Sequence, residues 1–176
     1  MRVIAGELRG RRLVAPRGWR VRPTSDRVRE AIFSSLGEVS GARVLDLYCG
    51  TGALGIEALS RGAAHATLVD RDTRPALGNV ELLELRDRVD LVRADAASWL
   101  DEAGGSFDLV FLDAPYRLAD RVGPEIDSRL GRILASGARV VVESAARRPL
   151  RLGSLEAVRD RRYGGTQVTF YAAEGE

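Results

Sequence analysis

Two short stretches place side chains where they could do chemistry. The first is Asp46-Leu47-Tyr48-Cys49-Gly50-Thr51-Gly52-Ala53-Leu54-Gly55, a carboxylate followed by a glycine-rich turn. Gly50 and Gly52 permit positive φ and let backbone N–H groups approach a ligand. Gly55 permits close helix–strand packing, so the stretch satisfies the dinucleotide pattern G-x-G-x-x-G. Asp70 lies 20 residues after Gly50, the spacing of a carboxylate that accepts both hydroxyls of a ribose. Asp95, in Val92-Arg93-Ala94-Asp95-Ala96, could accept a hydrogen bond from an adenine amino group; its other reading is a helix N-cap.

NAD and S-adenosylmethionine compete for such a turn. Asp46 favours the second. A carboxylate at the end of the preceding strand repels a pyrophosphate. S-adenosylmethionine has no phosphate and carries an ammonium and a sulfonium. A carboxylate suits those cations, either directly or by ordering the backbone around them. The alternative is a glycine turn that caps a helix and binds nothing.

The second stretch is Phe107-Asp108-Leu109-Val110-Phe111-Leu112-Asp113-Ala114-Pro115-Tyr116. Here a strand ends in a carboxylate, a stiff turn and an aromatic ring. An exocyclic amine of a nucleobase is a poor nucleophile, because its lone pair is delocalised into the ring. The Asp113 carboxylate and a backbone carbonyl could accept its two hydrogens and aim that lone pair at a methyl donor. Pro115 holds Ala114 extended and so fixes its carbonyl. The Tyr116 ring could stack on an extruded base; otherwise this is a turn Asp followed by a core Tyr. No Ser/His/Asp or Cys/His set supports covalent catalysis.

The elements that must position these residues alternate along the chain. Apolar runs at Arg43–Tyr48, Ala66–Val69, Val89–Val92, Phe107–Leu112 and Ala138–Val142 read as strands. Helical patterns fill the intervals at about 53–61, 72–86, 96–102 and 119–134. Strands buried on both faces imply an α/β fold with a parallel sheet and crossover helices. Glu156–Tyr163 and Thr166–Tyr171 flank Gly164-Gly165 and read as an antiparallel hairpin. At the other end, Arg2–Ala5 and Arg11–Ala15 read as a short hairpin with Gly6 and Gly10 at its turn. Thr24 or Ser25 then caps a helix that runs to about Leu36, and Arg27 or Arg29 on it could pair with an acid of the body.

With 176 residues the chain suits one domain with a small appendage. Its net charge of +2 is unevenly spread: residues 1–30 hold nine arginines against Glu7, Asp26 and Glu30. A basic arm on a mildly acidic body suggests a polyanionic partner. Arg9, Arg11, Arg12, Arg17, Arg20 and Arg22 with Trp19 suit phosphate gripping and base stacking, and their other reading is a solvated basic face. The single cysteine, Cys49, excludes an internal disulfide, and no Cys/His cluster suits zinc. Cys49 and His65 read as structural. No apolar run approaches a membrane span, and the opening Met1–Leu13 lacks an apolar signal core, so a cytoplasmic protein is expected.

Taken in order, these motifs resemble the RsmD family of bacterial small-subunit ribosomal RNA guanine-N2 methyltransferases. The likeness runs through R-V-I-A-G-E-L-R-G-R-R-L at 2–13, R-P-T-S-D-R-V-R-E-A-I-F at 22–33, L-D-L-Y-C-G-T-G-A-L-G-I-E-A-L-S-R-G-A at 45–63 and the D-x-P-Y corner. Each motif recurs in many methyltransferases; their joint order is more specific.

The resemblance implies a class I methyltransferase, Rossmann-like: a seven-stranded, mostly parallel sheet with an antiparallel last strand and a small N-terminal β-hairpin. It implies residues 1–23 as an RNA-binding arm and 24–176 as the methyltransferase domain. S-adenosyl-L-methionine would be held by Asp46, Tyr48, Gly50, Gly52, Asp70, Asp95 and Ala96. Catalysis would rest on Asp113, Ala114, Pro115 and Tyr116, and RNA binding on Arg9, Arg11, Arg12, Trp19, Arg20 and Arg22. The implied substrate is 16S rRNA in an assembled or assembling 30S subunit, with a monomeric enzyme and no metal or membrane. One departure is Ala114, where the family usually has proline. Alanine keeps the carbonyl but loosens the turn, and activity is expected to survive. Two other functions stay open: an amine methyltransferase acting on another RNA or DNA base, and a nucleotide- or RNA-binding module without catalysis.

Overall fold

The computed structural model describes residues 1–15 and 24–173. Its centre is one seven-stranded sheet of order β3-β2-β1-β4-β5-β7-β6. The strands are β1 (Arg43–Leu47), β2 (His65–Asp70), β3 (Val89–Arg93), β4 (Phe107–Leu112), β5 (Leu134–Ala145), β6 (Glu156–Tyr163) and β7 (Thr166–Ala172). The first five are parallel, and β7 runs antiparallel between β5 and β6. The expected α/β sheet with an antiparallel last strand is therefore present, and the 156–171 hairpin forms its edge.

The helices are α1 (Asp26–Leu36), α2 (Ala53–Ser60), α3 (Arg74–Leu82), α4 (Ala96–Glu102) and α5 (Ala119–Leu130). Near-continuous apolar strands bury both faces, as a parallel sheet requires. On one face Val44, Leu68, Leu109 and Phe111 pack with α1, α2 and α3. On the other, Leu45, Leu47, Val110 and Leu112 pack with α4 and α5. Two helices are shorter than their apolar patterns suggested. The 72–86 pattern ends as α3 at Leu82, followed by a 3₁₀ turn at Arg86–Arg88. The 119–134 pattern ends as α5 at Leu130, because Leu134 already belongs to β5. No described helix is long and apolar enough to cross a membrane.

The expected N-terminal hairpin is present in a short form, without two regular strands. One antiparallel bridge joins Arg2 and Arg12, with Val3 N–H donating to the Arg11 carbonyl at 2.9 Å. Leu13 N–H donates to the Met1 carbonyl at 3.1 Å, and tertiary contacts add to this short pairing. Val3 and Leu13 are buried in the core, and the turn at Gly6 lies on the end of α2. A Cβ at Gly6, where φ is +83°, would sit 1.7 Å from the Ser60 carbonyl oxygen, so only glycine fits this approach. Leu8 N–H donates to Ser60 Oγ at 3.0 Å. Ile4 and Ala5 N–H groups donate to the two oxygens of the Glu57 carboxylate at 2.8 and 3.0 Å.

Glu57 and Arg29 are both fully buried, and Arg29 Nε lies 3.5 Å from Glu57 Oε2. Arg29 also donates to the Arg2 carbonyl and to Asp26 Oδ1. Of the two helix arginines weighed as partners for an acid of the body, Arg29 is the one that pairs so.

Candidate functional site

Strand register brings the chemistry to one edge of the sheet. Leu47 pairs with Val69 on β2 and with Leu112 on β4, and Leu112 pairs with Val142 on β5. The next residues, Asp70, Tyr48, Asp113 and Glu143, therefore form one row at the carboxyl ends of four parallel strands. Ligands of open α/β sheets sit in this location.

The glycine turn leaves β1 here. Tyr48, Gly50 and Gly52 all take positive φ, of 61°, 55° and 75°. Asp70 fixes the turn: its Oδ2 accepts from Gly50 N–H at 2.9 Å, and its Oδ1 from Asp72 N–H at 3.0 Å. Gly55 is pressed against β2, and a Cβ there would lie 2.4 Å from Leu68 Cδ2.

Asp46 sits beneath the turn. It is 1 % exposed, and its Oδ2 accepts from Gly55 N–H at 2.9 Å. Of the two roles considered for it, direct contact with a cation or ordering of the backbone, this placement corresponds to the second. Burial raises its pKa from 3.8 to about 7, partly offset by the Gly55 hydrogen bond and reinforced by Asp70. The protonated form is thus favoured in the folded chain, and the resulting stabilisation is complete below about pH 4 and lost as pH rises through about 7. Asp46→Asn removes the charge and keeps an acceptor. Denaturant unfolding at pH 4 and pH 8 is expected to show the variant equal to the parent at the lower pH. At the higher pH it should be more stable by up to roughly 4 kcal/mol.

A cavity of about 200 Å³ opens above the turn. Its walls include Tyr48, Gly50, Asp70, Asp95, Ala96, Asp113 and Pro115, with apolar surface from Val69, Leu118 and Val122. Asp46 and Gly52 do not line it. Asp95 caps α4, accepting from Ser98 N–H at 3.2 Å, and also accepts from Arg71 Nε at 3.0 Å. Burial raises its pKa, but the Arg71 and Ser98 hydrogen bonds outweigh this and leave the carboxyl below its usual range. Arg71, Arg117 and Arg121 also line the cavity. Two of these face acids: Arg71 pairs with Asp95, and Arg121 pairs with Glu125 at 3.3 Å.

A second cleft, of about 320 Å³, is lined by Ser25, Arg27, Val28, Tyr116, Glu143, Arg162, Tyr163, Gly164 and Thr166. Tyr116 is 38 % exposed. Its hydroxyl is tied at 3.1 Å to Thr166 Oγ1 and at 3.4 Å to Glu143 Oε1, which anchors the ring with surface still open. Ala114 is buried between the two clefts, and Pro115 begins the short 3₁₀ turn that presents Tyr116.

Thr24 and Glu143 were not singled out by their spacing as site residues. Thr24 does not cap α1; Ser25 does, accepting from Val28 N–H at 3.3 Å. Thr24 Oγ1 instead lies 3.0 Å from Asp113 Oδ2 and 2.7 Å from Glu143 Oε2. Burial and the neighbouring Glu143 push Asp113 well above the carboxylate range, against the Thr24 hydrogen bond. The available signal for Glu143 was its place after Val140-Val141-Val142, at the carboxyl end of a parallel strand.

The arm residues Arg9, Arg11 and Arg12 are exposed, and Arg11 Nη2 donates to the Leu82 carbonyl at 3.1 Å. Trp19, Arg20 and Arg22, like Arg17, lie outside the described residues. Cys49 is buried, and His65 Nε2 lies 3.0 Å from Asp90 Oδ2.

The family described as conserved hypothetical protein 95 matches residues 1–172. YlbH of Bacillus subtilis, described as an rRNA methyltransferase, is 38% identical over 99% of this chain and 100% of its own length. Ribosomal RNA small subunit methyltransferase D of Escherichia coli is 41% identical over 66% of this chain and 61% of its own. A solved Escherichia coli structure described as the methyltransferase YhhF superposes with a TM-score of 0.87 at 34% identity, over 100% of this chain and 99% of that one. With a full-length family match, a relative aligned end to end and the same sheet, the chain belongs to the RsmD family of class I methyltransferases.

Proposed function

We propose that this protein transfers a methyl group from S-adenosylmethionine to the exocyclic N2 of a guanine in small-subunit ribosomal RNA, within an assembled or assembling 30S particle. One observation carries the reading. Asp113 and Pro115 line the inner cavity, while Tyr116, one residue further, lines the outer cleft. A single turn thus stands between a site for a donor and a site for an acceptor base.

The inner cavity fits the donor. Asp70 and Asp95 keep lone pairs that can accept from ribose hydroxyls and an adenine amino group. Asp46 and Gly55 hold the glycine turn in shape from below. When bound, S-adenosylmethionine supplies an electrophilic methyl carbon. The residues do the rest: Asp113 and the Ala114 carbonyl accept the two amine hydrogens, Pro115 fixes that carbonyl, and Tyr116 offers its ring to the base. Alanine at 114 retains the one atom this scheme needs from it.

Charge around the outer cleft suits RNA. Arg27 and Arg162 line it, and the exposed edge strand β6 adds Arg159 and Arg161. Together with Arg9, Arg11 and Arg12 they provide phosphate contacts on two sides of the fold. Neutralising Arg9, Arg11 and Arg12 together is expected to weaken RNA binding and reduce its log–log salt slope by about 2, at roughly 0.7 per lost contact with a single strand. A filter-binding series across salt concentrations measures it. An unchanged slope would assign the contacts to the β6 side instead.

The deciding experiment offers labelled donor to undermethylated small subunits, free small-subunit RNA, other RNAs and DNA, and maps the labelled nucleotide. Label at a guanine N2 of the particle is the expected result. Label on another base would retain the methyltransferase and replace its substrate, and donor binding without transfer to any of them would leave a binding module.

A further inference from the structure

The hydrogen-bond count around Thr24 has a consequence for protons. Its hydroxyl oxygen lies 3.0 Å from a carboxyl oxygen of Asp113 and 2.7 Å from one of Glu143. A hydroxyl has one hydrogen. It can donate to one carboxylate, and only its lone pairs then face the other. With both acids ionised, one of these contacts would set two acceptors together with no hydrogen between them. Both contacts become hydrogen bonds when one carboxyl carries a proton and donates it to Thr24.

We propose that Asp113, Thr24 and Glu143 share one proton, and that Glu143 is the positioning residue that holds it, through the Thr24 hydroxyl, while Asp113 accepts hydrogen from the acceptor amine. The inference rests on the methyl-transfer reading above. Two arrangements interconvert. In one, protonated Asp113 donates to Thr24 and Thr24 donates to ionised Glu143. In the other, protonated Glu143 donates to Thr24 and Thr24 donates to ionised Asp113. Asp113 passes its hydrogen to the hydroxyl as the hydroxyl passes its own to Glu143, so no atom is gained or lost. Only the second arrangement leaves Asp113 a full acceptor.

Once methylated, the acceptor nitrogen has a proton to lose, and Asp113 takes it. The pair then holds two protons. Glu143 lines the outer cleft and releases one to water there, which restores the starting count. The surroundings support a proton held on the pair. Asp46 on β1 and Glu143 on β5 both bear on Asp113 as like charges, and burial acts in the same direction. Around Glu143 the Tyr116 hydroxyl is 3.4 Å away, and Arg27, Arg162 and Tyr163 line the same cleft.

The test combines a carboxyl titration with kinetics on the full chain. Carbon-13 NMR follows the Asp113 carboxyl in the parent, Glu143→Gln, Thr24→Val and Thr24→Ser, all without ligand. In the parent Asp113 should titrate far above the ordinary carboxylate range. In Glu143→Gln its midpoint should fall by about one unit or more, because a like charge is gone and an amide N–H replaces the shared proton. Thr24→Val should lower kcat about 10²-fold, the low end of the range for a lost acid–base group, with the donor Kd retained, and Thr24→Ser should restore it. An ordinary Asp113 titration in the parent, a midpoint unmoved in Glu143→Gln, or Thr24→Ser no better than Thr24→Val would overturn the proposal. Should the parent titrate as expected yet methylate no small-subunit guanine, the substrate reading fails and the shared proton stands.

Discussion

Asp113→Ala is expected to bind S-adenosylmethionine within a few-fold of the parent and to transfer methyl groups about 10²–10⁴-fold more slowly, the range for a lost acid–base group. The cavity keeps Asp70, Asp95 and the glycine turn in this variant, so the donor site survives. The acceptor amine, however, loses the carboxylate that takes its hydrogen and aligns its lone pair. Folding should not suffer, because Asp113 is a raised-pKa acid beside Glu143 and Asp46, and its removal relieves like-charge crowding. Single-turnover transfer to undermethylated small subunits measures the rate, and calorimetry the donor affinity. Asp113→Asn separates the two contributions, since it keeps an acceptor oxygen but cannot take a proton. Turnover within ten-fold of the parent in both variants would remove Asp113 from the reaction.

Glu57→Ala is expected to be the most damaging substitution outside the site. Glu57 accepts from Ile4 and Ala5 N–H groups and from Arg61 Nε at 2.9 Å, and it faces the fully buried Arg29. Breaking a buried pair by deleting one partner costs about 3–5 kcal/mol, and Arg29 would keep Asp26 alone, among the described residues, as an acidic partner. Two orphaned backbone donors add to this. Arg29 Nε and Nη1 already make no hydrogen bond among the described residues, so the guanidinium has little else to turn to. Denaturant unfolding reads the loss, and hydrogen exchange at residues 2–13 reads the release of the N-terminal segment from α2. Glu57→Gln keeps one acceptor oxygen for the two backbone N–H groups and loses the charge, so its stability should fall between the parent and Glu57→Ala. Stability within about 1 kcal/mol of the parent in Glu57→Ala would mean that the burial of this pair is energetically neutral.

The two predictions are connected along the chain. The segment held by Glu57 and Arg29 leads toward α1, and Thr24, just before that helix, reaches Asp113. Asn79 links the same segment to the glycine turn: its side chain accepts from Val14 N–H at 2.8 Å and donates to the Thr51 carbonyl at 3.0 Å. A destabilised N-terminal segment should therefore lower transfer as well as stability, though no residue of the segment before Thr24 bonds to Asp113 among the described residues.

Much of the fold was legible in the chain read alone. Strand and helix order, the glycine turn after β1, and the antiparallel hairpin around Gly164-Gly165 follow from apolar periodicity and turn chemistry, which act over a few residues. So does the placing of Asp70, Asp95 and Asp113 at strand ends, where a carboxylate follows an apolar run. The N-terminal hairpin is shorter than its candidate strands, and Glu57 and Ser60, more than 50 residues away, take hydrogen bonds from Ile4, Ala5 and Leu8. Long-range partners of that kind have no local signature.

What the sequence determined was which chemical groups exist and which elements carry them. What tertiary structure decided was their company: that Asp46 lies under the turn as a buried acid, that Tyr116 is anchored through its hydroxyl, and that Thr24 joins Asp113 and Glu143. Asp113 and Glu143 are separated by 89 and 119 positions from Thr24. The register of β4 against β5, and the packing that seats Thr24 at the end of the sheet, bring them within hydrogen-bond reach. Such contacts depend on strand pairing and core packing across the whole domain, and no stretch of the chain encodes them by itself.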